Sequence, residues 1–515
     1  MATDLYELLM AQGYWLLGWA ERRAVFNLFF RNNPFRGGFV LACGQESARD
    51  FLARLLFSER DLNYLASLRG GDGKPLFHPD FLRFLAEMRF RCDVRAVREG
   101  AVVFPNEPIL QVEGPLLQAQ LVETALLNLI GFPSLAATKA ARICSAAGGD
   151  PVVEFGLRRA QGWQAGLTAS RAAYIAGCAG TSNLAAGRAY GIPVRGTMAH
   201  SWVMAFDDEA EAFVAYGRAV PGNCIFVVDT YDCEGGMSQA LAAAAELRRQ
   251  GITVQGVRLD SGDLARWSRE ARRRLDEAGL THAAVLVSGD LDEYRIAELK
   301  KQGACVNVWG VGTRLVTAFD EPALSVVYKL SAVVNRQGEW EDRAKISNDR
   351  AKRSLPGLPG VRRFYAGDRA VCDVIYDRRD GPPEAADAAK RFRTKVETQE
   401  LLRSGACRGE DLLVPLMEEG RPVMAEERPV TDEGRPVMDE ARPATDEGHP
   451  VTDEGHPVQP SCPLEDIRAY ARAQLASLPE GVRRLERPER YPIVESAALR
   501  RRRRAAAAMV RRKIP

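Results

Sequence analysis

Hydrophobic positions along the 515-residue chain change their period three times. TDLYELLMAQGYW, residues 3–15, places Leu5, Leu8, Leu9 and, one step beyond, Leu16 on one helical face, and Asp4 with Glu7 has the separation of a capping box, so the pattern predicts an opening helix. VFNLFFRNNPFRGGFVLACG, from Val25 to Gly44, reads as strand interrupted by proline and glycine. The segments of residues 1–125 mix both patterns and predict an N-terminal α/β domain.

Residues 126–375 are more regular. Short β-branched runs end in glycine or a polar residue and lead into amphipathic stretches: CIFVVD ending at Asp229, ITVQGVRLD at Asp260, AAVLVSG at Gly289 and CVNVWGVG at Gly312. PVVEFG from Pro151 and IPVRG from Ile192 read as two earlier strands of the series. Stretches such as LARWSREARRRLDEAG, Leu264 to Gly279, have the length and period of crossover helices, and a crossover is what parallel strands require. Six or so such βα units predict a barrel or a doubly wound sheet. In either, ligands sit beyond the C-terminal strand ends.

In the C-terminal region, residues 376–515, a seven-residue unit repeats from Arg421 to Val458 (RPVMAEE, RPVTDEG, RPVMDEA, RPATDEG, HPVTDEG). Proline in every unit rules out a continuous helix, and one valine or alanine per unit offers little core, so a solvated, disordered insert is expected at 421–458. LEDIRAYARAQLASL, Leu464 to Leu478, resumes a helical pattern, and Arg500 to Arg504 reads as a solvated helix end.

Composition narrows the function. A formal charge of +2 supplies no global field for nucleic acid or membrane, so charged ligands must be held locally. Ten cysteines without a C-x-x-C pair indicate neither a disulfide framework nor a zinc site. No signal peptide or membrane-length apolar run stands out, and a cytoplasmic protein is expected. There is no P-loop motif.

The chemistry-bearing residues gather at strand ends: EFGLRRAQG (Glu154 to Gly162), GTMAHSW (Gly196 to Trp202), VRLDSGDL (Val257 to Leu264), VSGDLDE (Val287 to Glu293) and VWGVGTRLVT (Val308 to Thr317). Arginines, aspartates, a histidine and glycines that expose backbone amides suit a phosphorylated ligand. Each has a plainer role to set beside this one. Phe155 reads equally as core, Tyr6 as a staple for the first helix, and Asp260 as the cap of the following helix. Arg258, a charge inside an apolar run, most needs a functional or structural partner.

In their order along some 350 residues these motifs, with VYKL (Val327 to Leu330) and the series Lys345, Ser347, Lys352, Pro356 and Gly357, resemble the nicotinate phosphoribosyltransferase family. The resemblance implies a type II phosphoribosyltransferase fold: an irregular α/β barrel plus an N-terminal α/β domain completed by C-terminal segments, usually as a homodimer. It implies an ATP-coupled ligase-class enzyme that converts nicotinate, phosphoribosyl pyrophosphate and ATP to nicotinate mononucleotide, with Mg2+ as cofactor, in NAD salvage. Carried over by position, Tyr6 and Phe155 sandwich the pyridine, while Thr197 and Arg258 contact nicotinate. Arg159, Asp260, Gly289, Gly310, Gly312 and Thr313 hold phosphoribosyl pyrophosphate, Asp260 also holds magnesium, and His200 is the phosphorylated histidine. Relatives that use nicotinamide place an aspartate at the position of Ser182, so Ser182 favours the carboxylate substrate. Nicotinamide or quinolinate phosphoribosyltransferase, and a non-catalytic scaffold of the same fold, are the alternatives.

Overall fold

A computed structural model describes residues 2–345, 354–392, 395–423 and 462–512. Ser347, Lys352 and repeat residues 424–458 lie outside them. The chain forms two compact units, the first from residues 2–135 and the described residues after 322, the second from Ala136–Pro322.

A seven-stranded antiparallel sheet underlies the first unit, in the order Trp340–Asp342, Val326–Val334, Arg23–Phe30, Leu110–Pro115, Asp93–Val97, Leu413–Glu418 and Arg421–Pro422. Arg23–Phe30 is buried from Ala24 onward, which explains its nearly unbroken apolar run. Asn27 is the exception, and its amide is satisfied by Ser331 Oγ at 2.7 Å and Gln111 Nε2 at 2.7 Å. A second sheet orders Cys407–Asp411, Pro359–Ala366, Arg369–Asp377 and Ile493–Glu495. The described residues after 375 therefore supply strands to the first unit and form no unit of their own. The expected boundaries at 125 and 375 move for the same reason. Val326–Val334 pairs with Arg23–Phe30, so the second unit ends at Pro322, and the helix Glu123–Ala147 runs unbroken past residue 125.

The opening helix spans Leu5–Leu16, but the expected capping box is absent. Asp4 Oδ2 accepts instead from Thr124 Oγ1 and Glu7 Oε1 from Thr124 N, both at 2.7 Å. The buried face is Glu7, Leu8 and Ala11, whereas Leu5, Leu9 and Leu16 are 49%, 39% and 63% exposed. The helical period was legible; the covered face was not. The helices expected at Leu264–Gly279 and Leu464–Leu478 appear as Leu264–Glu277 and Leu464–Ser477. The arginine run lies in the first half of helix Ala497–Arg512 and is partly paired, Arg502 with Asp380 at 2.9 Å and Arg503 with Glu495.

The second unit carries six parallel strands: β1 (Val152–Glu154), β2 (Gly180–Thr181), β3 (Ile225–Val227), β4 (Gly256–Leu259), β5 (Ala284–Val287) and β6 (Val308–Val311). Their order is β2-β1-β6-β5-β4-β3. First pairs with last, as in a barrel, and the ladder stays open only between β2 and β3. That cyclic order, with β1 beside β6, decides between the two architectures left open by the βα pattern. IPVRG is not a strand; it contributes a single bridge, Val194 to Thr181, at the open seam. The strand in its place is the two-residue β2, too short to show in the hydrophobic pattern.

Candidate functional site

Parallel strands deliver their C-terminal residues to one end of the barrel, and there the polar side chains meet. Arg258, on β4, donates from Nε to Ser288 Oγ at 2.9 Å and from one terminal nitrogen to Thr197 Oγ1 and the Met198 carbonyl, both at 3.1 Å. Its other terminal nitrogen donates to Asp260 Oδ1 at 2.9 Å. These contacts engage four of the guanidinium's five N–H groups, which leaves one for a ligand unless an existing bond is exchanged. The side chain is 14% exposed, and a charge so withdrawn from water needs such partners.

Ser288 follows β5 and is 4% exposed; its hydroxyl accepts from Arg258 and donates to Asp260 Oδ1, so one side chain fixes two others. The Asp260 backbone N–H donates to Asp229 Oδ2 at 2.8 Å, and Ser261 Oγ donates to the same oxygen at 2.7 Å. Asp229 is almost buried and its Oδ1 lacks a hydrogen-bond partner. His200 opens the helix His200–Met204, with Nε2 3.7 Å from Asp260 Oδ2 and Nδ1 3.2 Å from Thr230 Oγ1. Burial alone would raise the Asp260 carboxyl, but the Ser288 hydroxyl, the Arg258 guanidinium and nearby His200 hold it below the usual carboxylate range. Asp260 does not cap the next helix. Asp263 does, accepting from Arg266 N at 3.0 Å.

Around this network the loops approach too closely for side chains. A Cβ on Gly289, where φ is +96°, would stand 2.0 Å from the Asp260 carbonyl oxygen, and one on Gly310 would stand 2.7 Å from the Phe155 ring. Gly312 passes the Phe155 carbonyl, and Thr313 begins the short helix Thr313–Val316. Phe155 is half-buried and its N–H donates to Val311 O at 2.8 Å. Beneath it Glu154, wholly buried, accepts from Gly156 N, from Ser170 Oγ at 2.8 Å and from Thr181 Oγ1 at 2.6 Å, joining β1 to β2.

Of the residues singled out from sequence, Thr197, His200, Arg258 and Asp260 are bonded or adjacent to one another, and Phe155, Gly289, Gly310, Gly312 and Thr313 occupy the same strand ends. Arg159 is exposed on the turn Leu157–Arg159, and its side chain enters none of the network's hydrogen bonds. Tyr6 belongs to the first unit and is 43% exposed; desolvation first, then neighbouring acidic charge, pushes its hydroxyl up to about 12. Sequence reasoning passed over Ser288, Thr230, Asp229 and Glu154. Glu154 and Ser288 directly precede Phe155 and Gly289 at strand ends, whereas Asp229 and Thr230 follow β3, where the sequence offered no other site residue.

Family models match three stretches: the nicotinate phosphoribosyltransferase N-terminal domain at residues 1–131, the nicotinate phosphoribosyltransferase family at 151–357 and the C-terminal domain at 440–503. The nicotinate phosphoribosyltransferase of Bacillus subtilis is 46% identical over 363 residues, covering 70% of this chain and 72% of that one. The enzyme of that name from Mus musculus is 35% identical over 558 residues, covering 97% and 95%. The crystal structure of human nicotinic acid phosphoribosyltransferase superimposes with a TM-score of 0.77 at 31% identity, covering 98% of this chain and all of that one. A nicotinate-nucleotide pyrophosphorylase from Pyrococcus furiosus shares the fold, at a TM-score of 0.63 and 22% identity over 92% of this chain and 94% of its own.

Proposed function

From the premise that the chain belongs to the nicotinate phosphoribosyltransferase family, and so is a phosphoribosyltransferase acting on nicotinate in NAD biosynthesis, we propose that it couples this transfer to ATP through His200. Its architecture is the type II phosphoribosyltransferase fold. The observation that carries the site assignment is the continuous network Thr197–Arg258–Ser288–Asp260 with His200 beside it at one barrel end.

The pyridine nitrogen attacks the anomeric carbon with its free lone pair as the bond to pyrophosphate breaks. No proton leaves the nucleophile, so no general base is required, and catalysis rests on positioning and charge. Arg258 offers its remaining N–H, together with Thr197, to the nicotinate carboxylate. Phe155 gives the pyridine a stacking face. Stacking is worth only about 0.5–1.5 kcal/mol per pair against the roughly 8 kcal/mol of micromolar binding, so the charged contacts dominate affinity. Gly289, Gly310, Gly312 and Thr313 take the 5-phosphate, and exposed Arg159 is free to meet an anionic group of the same substrate.

The donor set suits Mg2+. Asp260 is held ionised and Asp229 keeps an unpartnered, buried carboxylate oxygen beside it, while no group of three or more metal-ligating side chains occurs among the described residues. A cation held by one or two carboxylates and largely by substrate phosphates fits that count, and it would offset charge on the departing pyrophosphate. For the coupling step, the γ-phosphoryl group of ATP moves to the His200 imidazole with release of ADP, and hydrolysis of that P–N bond later yields phosphate. The added charge of about −2 reorganises neighbouring basic groups.

A homodimer is supported by the exposed Leu5, Tyr6, Leu9, Met10, Leu16 and Leu17 on and just after the first helix. Cytoplasmic residence is supported by ten cysteines none of which forms a disulfide; among the described residues no helix is long and apolar enough to cross a membrane. The test is pyrophosphate release with nicotinate, nicotinamide and quinolinate side by side, with and without ATP. Preference for nicotinamide would overturn the Ser182 argument. His200→Ala is expected to lose ATP stimulation while slow ATP-independent transfer persists; unchanged coupling in that variant defeats the phosphohistidine assignment.

A further inference from the structure

We propose that Lys139 is a positioning residue for the phosphoribosyl donor, tying the loop after β5 to the loop after β6 through one buried ammonium. The proposal rests on the reading above that these loops hold the 5-phosphate. Lys139 lies on the helix Glu123–Ala147, within the part that belongs to the second unit, and its side chain is wholly buried. Its Nζ stands 2.8 Å from Glu293 Oε2 and 3.0 Å from Asp320 Oδ2. Glu293 comes four residues after Gly289, and Asp320 seven residues after Thr313. One cation therefore pins the far ends of both loops.

The surrounding contacts strengthen the tie. Arg142, one turn further along the same helix, donates to Glu293 Oε1 at 2.9 Å and to the Tyr294 hydroxyl at 2.9 Å. Asp292 and Arg314 approach to 3.5 Å, joining the two loops a second time. Glu293 itself is wholly buried, so its carboxylate depends on these cations.

Backbone strain points to the same place. Among the described residues of the second unit, the non-glycine residues with positive φ are Asp290 (+47°), Ala318 (+46°) and Asp320 (+82°). All three lie in the two loops that Lys139 joins. Such conformations persist where surrounding structure over-determines them, and they gather at ligand-holding sites. A buried ion cluster is also a poor choice for stability alone, because well-packed apolar side chains of similar volume commonly do as well or better. A flexible point charge that satisfies two carboxylates from different loops does what an apolar plug cannot: it fixes the separation of those loops.

The test measures donor and acceptor constants separately. Lys139→Met keeps an unbranched side chain one atom shorter and removes its charge; the KM for phosphoribosyl pyrophosphate is expected to rise about tenfold, with kcat and the nicotinate KM changing by less than about twofold. Lys139→Arg should recover most of the donor affinity. If Lys139→Met does not fold, Asp320→Asn, whose side chain is 43% exposed, reads the same tie with a donor KM raised about threefold. An unchanged donor KM in a folded Lys139→Met protein overturns the proposal, as does an equal rise in both KM values; where that variant does not fold, an unchanged donor KM in Asp320→Asn does so. Thr313→Val separates the two levels. If it leaves the donor KM unchanged, the loops do not hold the phosphate and the underlying reading fails. If it raises the donor KM while the Lys139 variants do not, only the positioning role fails.

Discussion

In the first unit Arg363 and Asp373 are both wholly buried, joined by two hydrogen bonds of 2.8 and 2.6 Å, with Gln474 on the third guanidinium nitrogen and the Phe104 and Tyr491 rings at 5.4 and 5.6 Å. In the second unit Arg258 and Asp260 pair through a single hydrogen bond, remain 14% and 27% exposed, share Ser288, and leave one guanidinium N–H unused and Asp260 Oδ2 3.7 Å from His200 Nε2. The same two residue types serve two ends. A pair closed on every side links Pro359–Ala366 to Arg369–Asp377 and the helix Leu464–Ser477, whereas a pair with unfilled capacity at a strand end is available to a ligand.

Removing one member should separate these roles most sharply in the first unit. Arg363→Met leaves the Asp373 charge buried without its partner, and a loss of about 3–5 kcal/mol in unfolding free energy is expected, with kcat per folded molecule unchanged. Denaturant titration beside active-site-normalised turnover checks this. Pairing the change with Asp373→Leu should restore much of the stability; failure to do so would mean that the pair is more than a closed structural contact.

The corresponding change in the second unit should do the reverse. Arg258→Lys retains the charge but loses the planar fork that reaches Ser288, Asp260 and Thr197 together, and kcat/KM for nicotinate is expected to fall about 100-fold, close to 2.7 kcal/mol, with little change in Tm. A large fall in Tm with modest kinetic loss would make the two pairs alike and remove the contrast.

Proton linkage sharpens the comparison further. Desolvation, and then the Asp373 charge, raise the buried Glu107 carboxyl well above its ordinary 4.5. The native state then keeps a proton that the unfolded chain releases, so stability falls by up to about 1.4 kcal/mol per pH unit as pH rises from 4.5 toward the folded value. Asp260 has the opposite sign. Its lowered value stabilises the fold above about 3.8, and that contribution is lost as pH drops below it. Glu107→Gln should flatten the decline of stability above pH 4.5 without altering the pH profile of turnover.

Most of the barrel was legible because its strands are apolar runs closed by polar residues, and the residues after those runs, from Asp229 to Gly312, are where the candidate site lies. What escaped was non-local. Asp4 and Glu7 have capping-box spacing, yet both bond Thr124, more than a hundred residues away. Val194 looked like a strand residue but meets only one bridge partner, while two-residue β2 left no periodic trace. Arg258 announced itself as a charge in an apolar run. Ser288, the hydroxyl that orients it from 30 residues away, looked like any serine before a glycine.

That serine supplies the smallest effect and the finest discrimination. Ser288→Ala deletes one oxygen and leaves both charges in place, so Arg258 and Asp260 still attract each other while their relative orientation is released. At a closed pair such a deletion would register as lost stability. At an open one the loss should appear in the chemistry: about a fivefold fall in kcat/KM, near 1 kcal/mol, because the guanidinium no longer presents its remaining N–H in a fixed direction. The Asp260 carboxyl should also lose part of what holds it low, since the Ser288 hydroxyl is the largest of the influences that lower it. The acid limb of the rate profile would then move to higher pH. A Tm loss with that limb unmoved would place Ser288 with the framework of the barrel, and the distinction between closed and open pairs would no longer separate structure from function in this chain.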